Sequence, residues 1–230
     1  NKIDSPTPLT SEITEISDLA LNNARIWWDK QGIGINNVPC IFFVGTHSFT
    51  YDFEPVSDAV QLCLKNNIKI NFVICGTGNA NSHIKNLLEG YSNVFFPGYI
   101  DLPKIFSLAE RSIAALVNYK NTPDFINSIP NKAIDAMALG LPIVSPMDGE
   151  LRGMINSHTI GIHYTCGESL YNAIRHLMQD KNKQQQMANN ANNLYKEKFE
   201  FNKIYDDLVQ RLEVLAKKTH SQSARLQSNT

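Results

Sequence analysis

A chain of 230 residues, 43% of them hydrophobic, is long enough for one large or two small globular domains and can bury a substantial core. Its formal net charge of −1 favours neither nucleic acid nor an anionic membrane as a partner, so any anion site has to be local. No apolar run is long enough to cross a bilayer and no signal peptide is evident; the first residue is Asn1 and not Met, which gives the expectation of a fragment or a processed product.

Residues 1–38 read as a connecting segment with a helix near Ala20–Lys30, whose Trp27 and Trp28 are expected to cover a sheet. From Pro39 onward apolar strands alternate with amphipathic helices, the pattern of a parallel sheet with crossover helices. Strands are predicted at Cys40–Val44, Ile70–Cys75, Val94–Phe96, Ser112–Val117, Ile143–Val144 and Ile160–His163. Helices are predicted near Glu54–Lys65, Ala80–Glu89, Leu102–Ala109, Asn131–Leu139 and Leu151–Asn156, then near Gly167–Gln179, Lys183–Tyr195 and Phe201–Lys217. Strands apolar throughout imply that both faces are covered, so the expected fold class is α/β, a doubly wound, Rossmann-like parallel sheet. Residues 39–217 form its domain, and the polar, aperiodic residues 218–230 are expected to be a disordered tail. The cysteines at 40, 63, 75 and 166 match no Cys-x-x-Cys pattern and read as thiols of a reducing compartment, three of them inside apolar runs.

In doubly wound sheets ligands bind beyond the carboxyl ends of the strands, so the loops there carry the chemistry. The first strand ends at Gly45, and the second at Gly76-Thr77-Gly78, a turn that alone is weak evidence. The third leads to Tyr99 and to Asp101, a helix N-cap with Pro103 in the first turn. A polar loop from Asn118 to Ile126, containing Pro123, is expected to close over a ligand. The run Asn127 to Val144 is the most informative: a polar loop, a short helix, a Gly-Leu-Pro stop and an apolar strand. A helix N-terminus presents unpaired N–H groups and partial positive charge, a ready phosphate site, and Lys132 adds a full charge there. Asp135 falls on the same helix face as Asn131, where a carboxylate accepts hydroxyl protons. A phosphate seat beside a hydroxyl acceptor suits a nucleotide-sugar; the alternative is an ordinary helix whose Lys and Asp are solvated. There is no Ser-His-Asp arrangement, no Asp-x-Asp motif and no metal-ligand spacing among the six histidines.

Pro130-Asn131-Lys132, Asp135-Ala136-Met137-Ala138 and Gly140-Leu141-Pro142-Ile143-Val144 together resemble the donor-site signature of retaining glycosyltransferases. These are the enzymes of two facing Rossmann-like domains, the GT-B architecture, and the likeness is to family 4, the glycosyl transferases group 1. It extends over roughly Pro39 to Asp180. The resemblance implies the donor-binding, C-terminal half of an enzyme moving a hexose, with retention, from a UDP- or GDP-linked sugar to a glycan or lipid-linked acceptor in polysaccharide biosynthesis. It implies that Asp135 binds the ribose and that Lys132 with the Ser128–Asn131 backbone binds the diphosphate. Asn127 contacts the transferred sugar, and Gly45 and Gly76 allow close backbone approach. Tyr99 lies on the base-binding edge, and Glu150 in Met147-Asp148-Gly149-Glu150 is a candidate contact to the sugar, with helix capping as the alternative role. No metal or other cofactor is implied. The implied setting is cytoplasmic, with the full-length protein peripheral at the inner membrane face; the acceptor is held by an N-terminal domain that this chain lacks, so the chain alone is expected to be inactive.

Three departures stand out. Asn127 is an amide where the family has an acid, and Asp135 is one methylene shorter than the usual Glu. Thr46 through Pro55 contains no Lys or Arg where the family places basic residues, leaving His47, with Arg152 and Lys120 as remoter sources of charge. A non-catalytic scaffold of the same fold and a sugar-nucleotide epimerase therefore stay open as alternatives.

Overall fold

The computed structural model describes residues 16–206 and 208–213; residues 1–15 of the expected connection and the expected tail lie outside them. Short apolar runs form six strands: β1 (Cys40–Val44), β2 (Asn71–Cys75), β3 (Val94–Gly98), β4 (Ser112–Leu116), β5 (Ile143–Ser145) and β6 (Gly161–His163). All neighbours pair in parallel, in the order β3-β2-β1-β4-β5-β6. This is the Rossmann-like doubly wound sheet, and the strand order reverses between β1 and β4.

Side chains alternate across each strand and feed two cores. Phe42, Val73, Cys75 and Ala115 face one side, where α1 (Asp18–Lys30), α4 (Leu102–Ala109), α6 (Asn131–Ala138), α7 (Gly149–His158) and α9 (Lys181–Lys198) pack. Ile41, Phe43, Phe72, Ile74 and Leu116 face the other, under α2 (Glu54–Lys65), α3 (Asn81–Leu88) and α8 (Gly167–Gln179). Because β1 is central and covered twice, it reads apolar at every position.

The ends of the elements follow local chemistry. Asp101 caps α4, its carboxylate accepting from the Lys104 N–H at 3.3 Å. α6 stops at Gly140 in the left-handed region, with Leu141 N–H donating to Ala136 O and Gly140 N–H to Met137 O, a Schellman motif. α7 starts two residues before the expected Leu151, because Asp148 already has the extended backbone of an N-cap. The loop after β4 contains a four-residue helix, α5 (Pro123–Ile126), that its polar composition does not announce. Trp28 is fully buried, its indole N–H donating to Lys104 O at 2.9 Å, and so pins α1 to α4. Arg25 with Glu110 and Arg111 with Asp29 add ion pairs along that seam. Cys40, Cys63 and Cys75 are buried free thiols, and burial pushes Cys40 and Cys63 up to about 12; Cys166 is exposed at the start of α8.

Candidate functional site

The switch in strand order opens a crevice between the carboxyl ends of β1 and β4, and α6 points its N-terminus there. Pro130 occupies the N-cap position and supplies no side-chain cap. Ser128 N–H is already taken by Phe125 O at 3.2 Å, so the open donors of the first turn are those of Asn131 and Lys132. Lys132 extends across the crevice, its Nζ donating to Val44 O at 2.6 Å, at the last residue of β1. The ammonium also lies 4.9 Å from the centre of the Phe43 ring and 5.5 Å from that of Tyr51. Burial pushes the Lys132 pKa below the usual lysine range, while the charge of Asp135, one turn further along α6, opposes that shift.

The two glycines explain how an ammonium fits there. A Cβ on Gly45 would stand 1.8 Å from Lys132 Nζ, and one on Gly76 would stand 1.9 Å from Gly45 O. Gly45 therefore makes room for the lysine, and Gly76 makes room for Gly45. An apolar cavity of about 200 Å³, lined by Phe42, Val44, Leu102 and Ile105, opens at Lys132 and Asp135. A second of about 440 Å³ shares Val44, Leu102 and Ile105 with it and adds Gly45, Thr46, Gly76, Thr77 and Tyr99. Tyr99, 83% exposed, stands at the rim.

The structure thus gathers Lys132, Asp135, Gly45, Gly76 and Tyr99 round one cleft, with Asn131 exposed at the head of α6. Asn127 and Ser128 do not line either cavity. The Asn127 amide donates to Pro123 O at 3.0 Å, and the Ser128 hydroxyl meets Asp124 O and Phe125 O, both at 3.2 Å, so both side chains turn back into α5. Glu150 lies exposed in the first turn of α7.

The other candidate sources of charge are differently employed. Arg152 pairs with Asp148 at 2.9 Å. The Asp148 carboxylate also meets Asn121 and His163, so it ties the loop after β4 to the start of α7 and leaves that helix without a side-chain cap. His47 is 1% exposed, and its Nδ1 meets Asn81 Oδ1 at 2.9 Å; burial lowers its pKa, favouring the neutral ring. Lys120 is exposed on the loop after β4. Among the described residues no group of three His, Cys, Asp or Glu side chains could hold a metal ion, and no helix is long and apolar enough to cross a membrane.

Sequence reasoning missed the aromatic surroundings of Lys132. Tyr51 O–H donates to the Tyr119 hydroxyl oxygen at 3.1 Å, and the ring of Tyr119 lies 4.5 Å from that of Phe125. The same two loops are joined by Lys120 N–H to Thr50 O and by Asp52 N–H to Asn118 O. The only trace in the sequence is the run of aromatics at Phe49, Tyr51 and Phe53, which no local rule ties to position 132.

A protein-family model described as glycosyl transferases group 1 matches residues 27–194. No curated protein sequence matches the chain. Among solved structures, HepE of Anabaena, in complex with UDP and glucose, is similar with a TM-score of 0.66 at 19% identity, over 87% of this chain and 53% of that one. Sucrose-phosphate synthase of Thermosynechococcus elongatus reaches 0.70 at 18% identity, over 92% of this chain and 52% of that one. The catalytic domain of cholesterol-alpha-glucosyltransferase of Helicobacter pylori reaches 0.57 at 15% identity, over 70% of this chain and 98% of that one. The chain spans about half the length of the first two.

Proposed function

The chain belongs to the glycosyl transferases group 1 family, and from that membership we propose that its cleft binds the nucleoside diphosphate part of a sugar donor. The observation that carries this reading is the placement of Lys132 and Asp135 on consecutive turns of α6 at the mouth of the β1/β4 crevice. Lys132, whose Nζ reaches Val44 O, and the open N–H groups of Asn131 and Lys132 all belong to the first turn of α6, where a diphosphate would receive a full charge and the helix dipole together. Asp135 is then one turn away for the ribose hydroxyls, with Tyr99 and its loop beside the base. HepE, similar in fold, is solved with UDP.

As the bond between sugar and diphosphate breaks, negative charge grows on the departing phosphate oxygen. A fixed ammonium and backbone donors stabilise the departing diphosphate more than the smaller negative charge of the intact donor, which is the part of catalysis these residues supply. The reaction we assign to the complete protein is transfer of a hexose with retention from a UDP- or GDP-linked donor to a glycan or lipid-linked acceptor. Its acceptor would be held by a second domain, at the cytoplasmic face of a membrane, and these residues offset the diphosphate charge without a metal.

Calorimetry with UDP and GDP tests the donor site. Lys132→Ala weakens binding by about 1–3 kcal/mol, the scale of a charge-assisted hydrogen bond; equal affinity in both proteins sends the phosphate elsewhere. Asp135→Ala weakens UDP but hardly affects pyrophosphate. One observation favours a second reading, a donor-binding scaffold without turnover: the Asn127 amide is spent on Pro123 O and brings no charge to the sugar. Asn127→Glu in the complete protein separates the two, since a scaffold gains no activity from it.

A further inference from the structure

The loop after β1 carries no Lys or Arg between Thr46 and Pro55, yet it lies against the one lysine of the cleft. We infer that Tyr51 is a positioning residue, whose ring holds the Lys132 ammonium in place for the diphosphate, so that this loop contributes the seat of a cation instead of a cation. The inference rests on the donor site proposed above.

The geometry supports it from three sides. Lys132 has a four-carbon stem with large rotamer freedom, and a lysine left free would lose that freedom on binding a phosphate. Here Nζ is already fixed by Val44 O at 2.6 Å and by the faces of Phe43 and Tyr51. An aromatic face attracts a partly dehydrated cation, which compensates for water lost over Gly45 and sustains the charged form that a phosphate needs. Phe43 belongs to the strand and to the core, where its ring meets Phe53 at 5.2 Å, so it is placed whatever the cleft does. Tyr51 belongs to a loop and needs its own anchors. It has them in the T-shaped contact with Phe43 at 4.8 Å, the hydroxyl bond to Tyr119, and the antiparallel bridge pairing Tyr51 with Tyr119. Tyr119 stacks in turn on Phe125 of α5. A chain of rings therefore runs from the loop ahead of α6 to the ammonium, and Tyr51 is its last link.

The test compares UDP with uridine, which lacks phosphate, by calorimetry on the whole chain. Tyr51→Leu should weaken UDP binding about fivefold, the range of a desolvated cation–ring contact, and leave uridine unchanged. Tyr51→Phe keeps the ring and should restore UDP binding to within about twofold of wild type on the same scale. A series of increasingly fluorinated phenylalanines at position 51 keeps the shape while draining the ring of electron density, and should lose UDP affinity stepwise. The inference is overturned by a flat fluorinated series, by Tyr51→Leu binding UDP as wild type does, or by uridine falling in parallel with UDP. Lys132→Ala, run alongside, keeps the two levels apart: if it binds UDP normally the donor site itself is misplaced, whereas if it alone loses affinity only the role of Tyr51 falls.

Discussion

Lys132 is a charge kept among carbonyls and rings, and that has consequences for its proton. Burial weakens protonation in the folded chain, so between that lowered value and the ordinary lysine value of 10.5 the unfolded chain binds more protons. Stability contributed at this position therefore rises with pH across that window and is lowest below it. Denaturation through the alkaline range should show a smaller gain in Lys132→Met than in wild type. A bound diphosphate restores preference for the ammonium, so UDP binding in the same window should take up protons; calorimetry in buffers of different ionisation enthalpy reads this directly. His47 follows the same sign. Its folded value is lowered from 6.5, so the chain loses stability as pH falls from 6.5 through that value, and His47→Gln should flatten the loss. Gly45→Ala removes the space that Lys132 Nζ occupies, and is expected to cost UDP about as much affinity as Lys132→Ala. The Lys132–Asp135 spacing was legible because helical geometry alone puts those positions near one another. Tyr51 was not, since its partner Tyr119 is 68 residues away and only the folded sheet brings the loops together.

At the level of elements, stability and site placement are shared between caps and anchors. Asp101 satisfies the head of α4 and also pairs with Lys104 at 2.8 Å, an exposed contact of little worth by itself. Loss of the cap in Asp101→Ala should cost about 1 kcal/mol in denaturant unfolding and loosen the adjoining loop of Tyr99. Trp28 is a larger anchor: Trp28→Ala is expected to cost about 3–5 kcal/mol, whereas Trp28→Phe keeps most of the packing and loses chiefly the bond to Lys104 O. The two tryptophans were expected to cover the sheet; in the structure Trp28 is buried with its N–H on Lys104 O of α4, and Trp27 is only half-buried beside it. Helix starts were less readable. α7 begins at Gly149 because Asp148 is held by Asn121, Arg152 and His163, a network drawn from three separate segments that no local propensity encodes. α5 escaped notice for a related reason, being only four residues long and bounded by Thr122 and Asn127.

For the molecule as a whole, the sheet order turns one sequence pattern into one crevice. Alternating apolar strands and amphipathic helices made the parallel sheet predictable, while the order β3-β2-β1-β4-β5-β6 decides that β1 and β4 lie side by side and that their loops face each other. A ligand held there touches loops from both halves of the sheet and should stabilise the chain cooperatively. UDP at 100 times its dissociation constant adds about 2.7 kcal/mol, visible as a rise in melting temperature that Lys132→Ala should diminish.

The thiols give this chain a reporter of its own unfolding. A maleimide added to the native protein meets Cys166 at the surface, whereas Cys40, Cys63 and Cys75 stay sealed between sheet and helices. Mass spectrometry would then count a single adduct until the sheet opens, after which three further additions mark each molecule that has come apart. The pace of that second stage, followed with and without nucleotide, measures how firmly a ligand holds the sheet and its helices together.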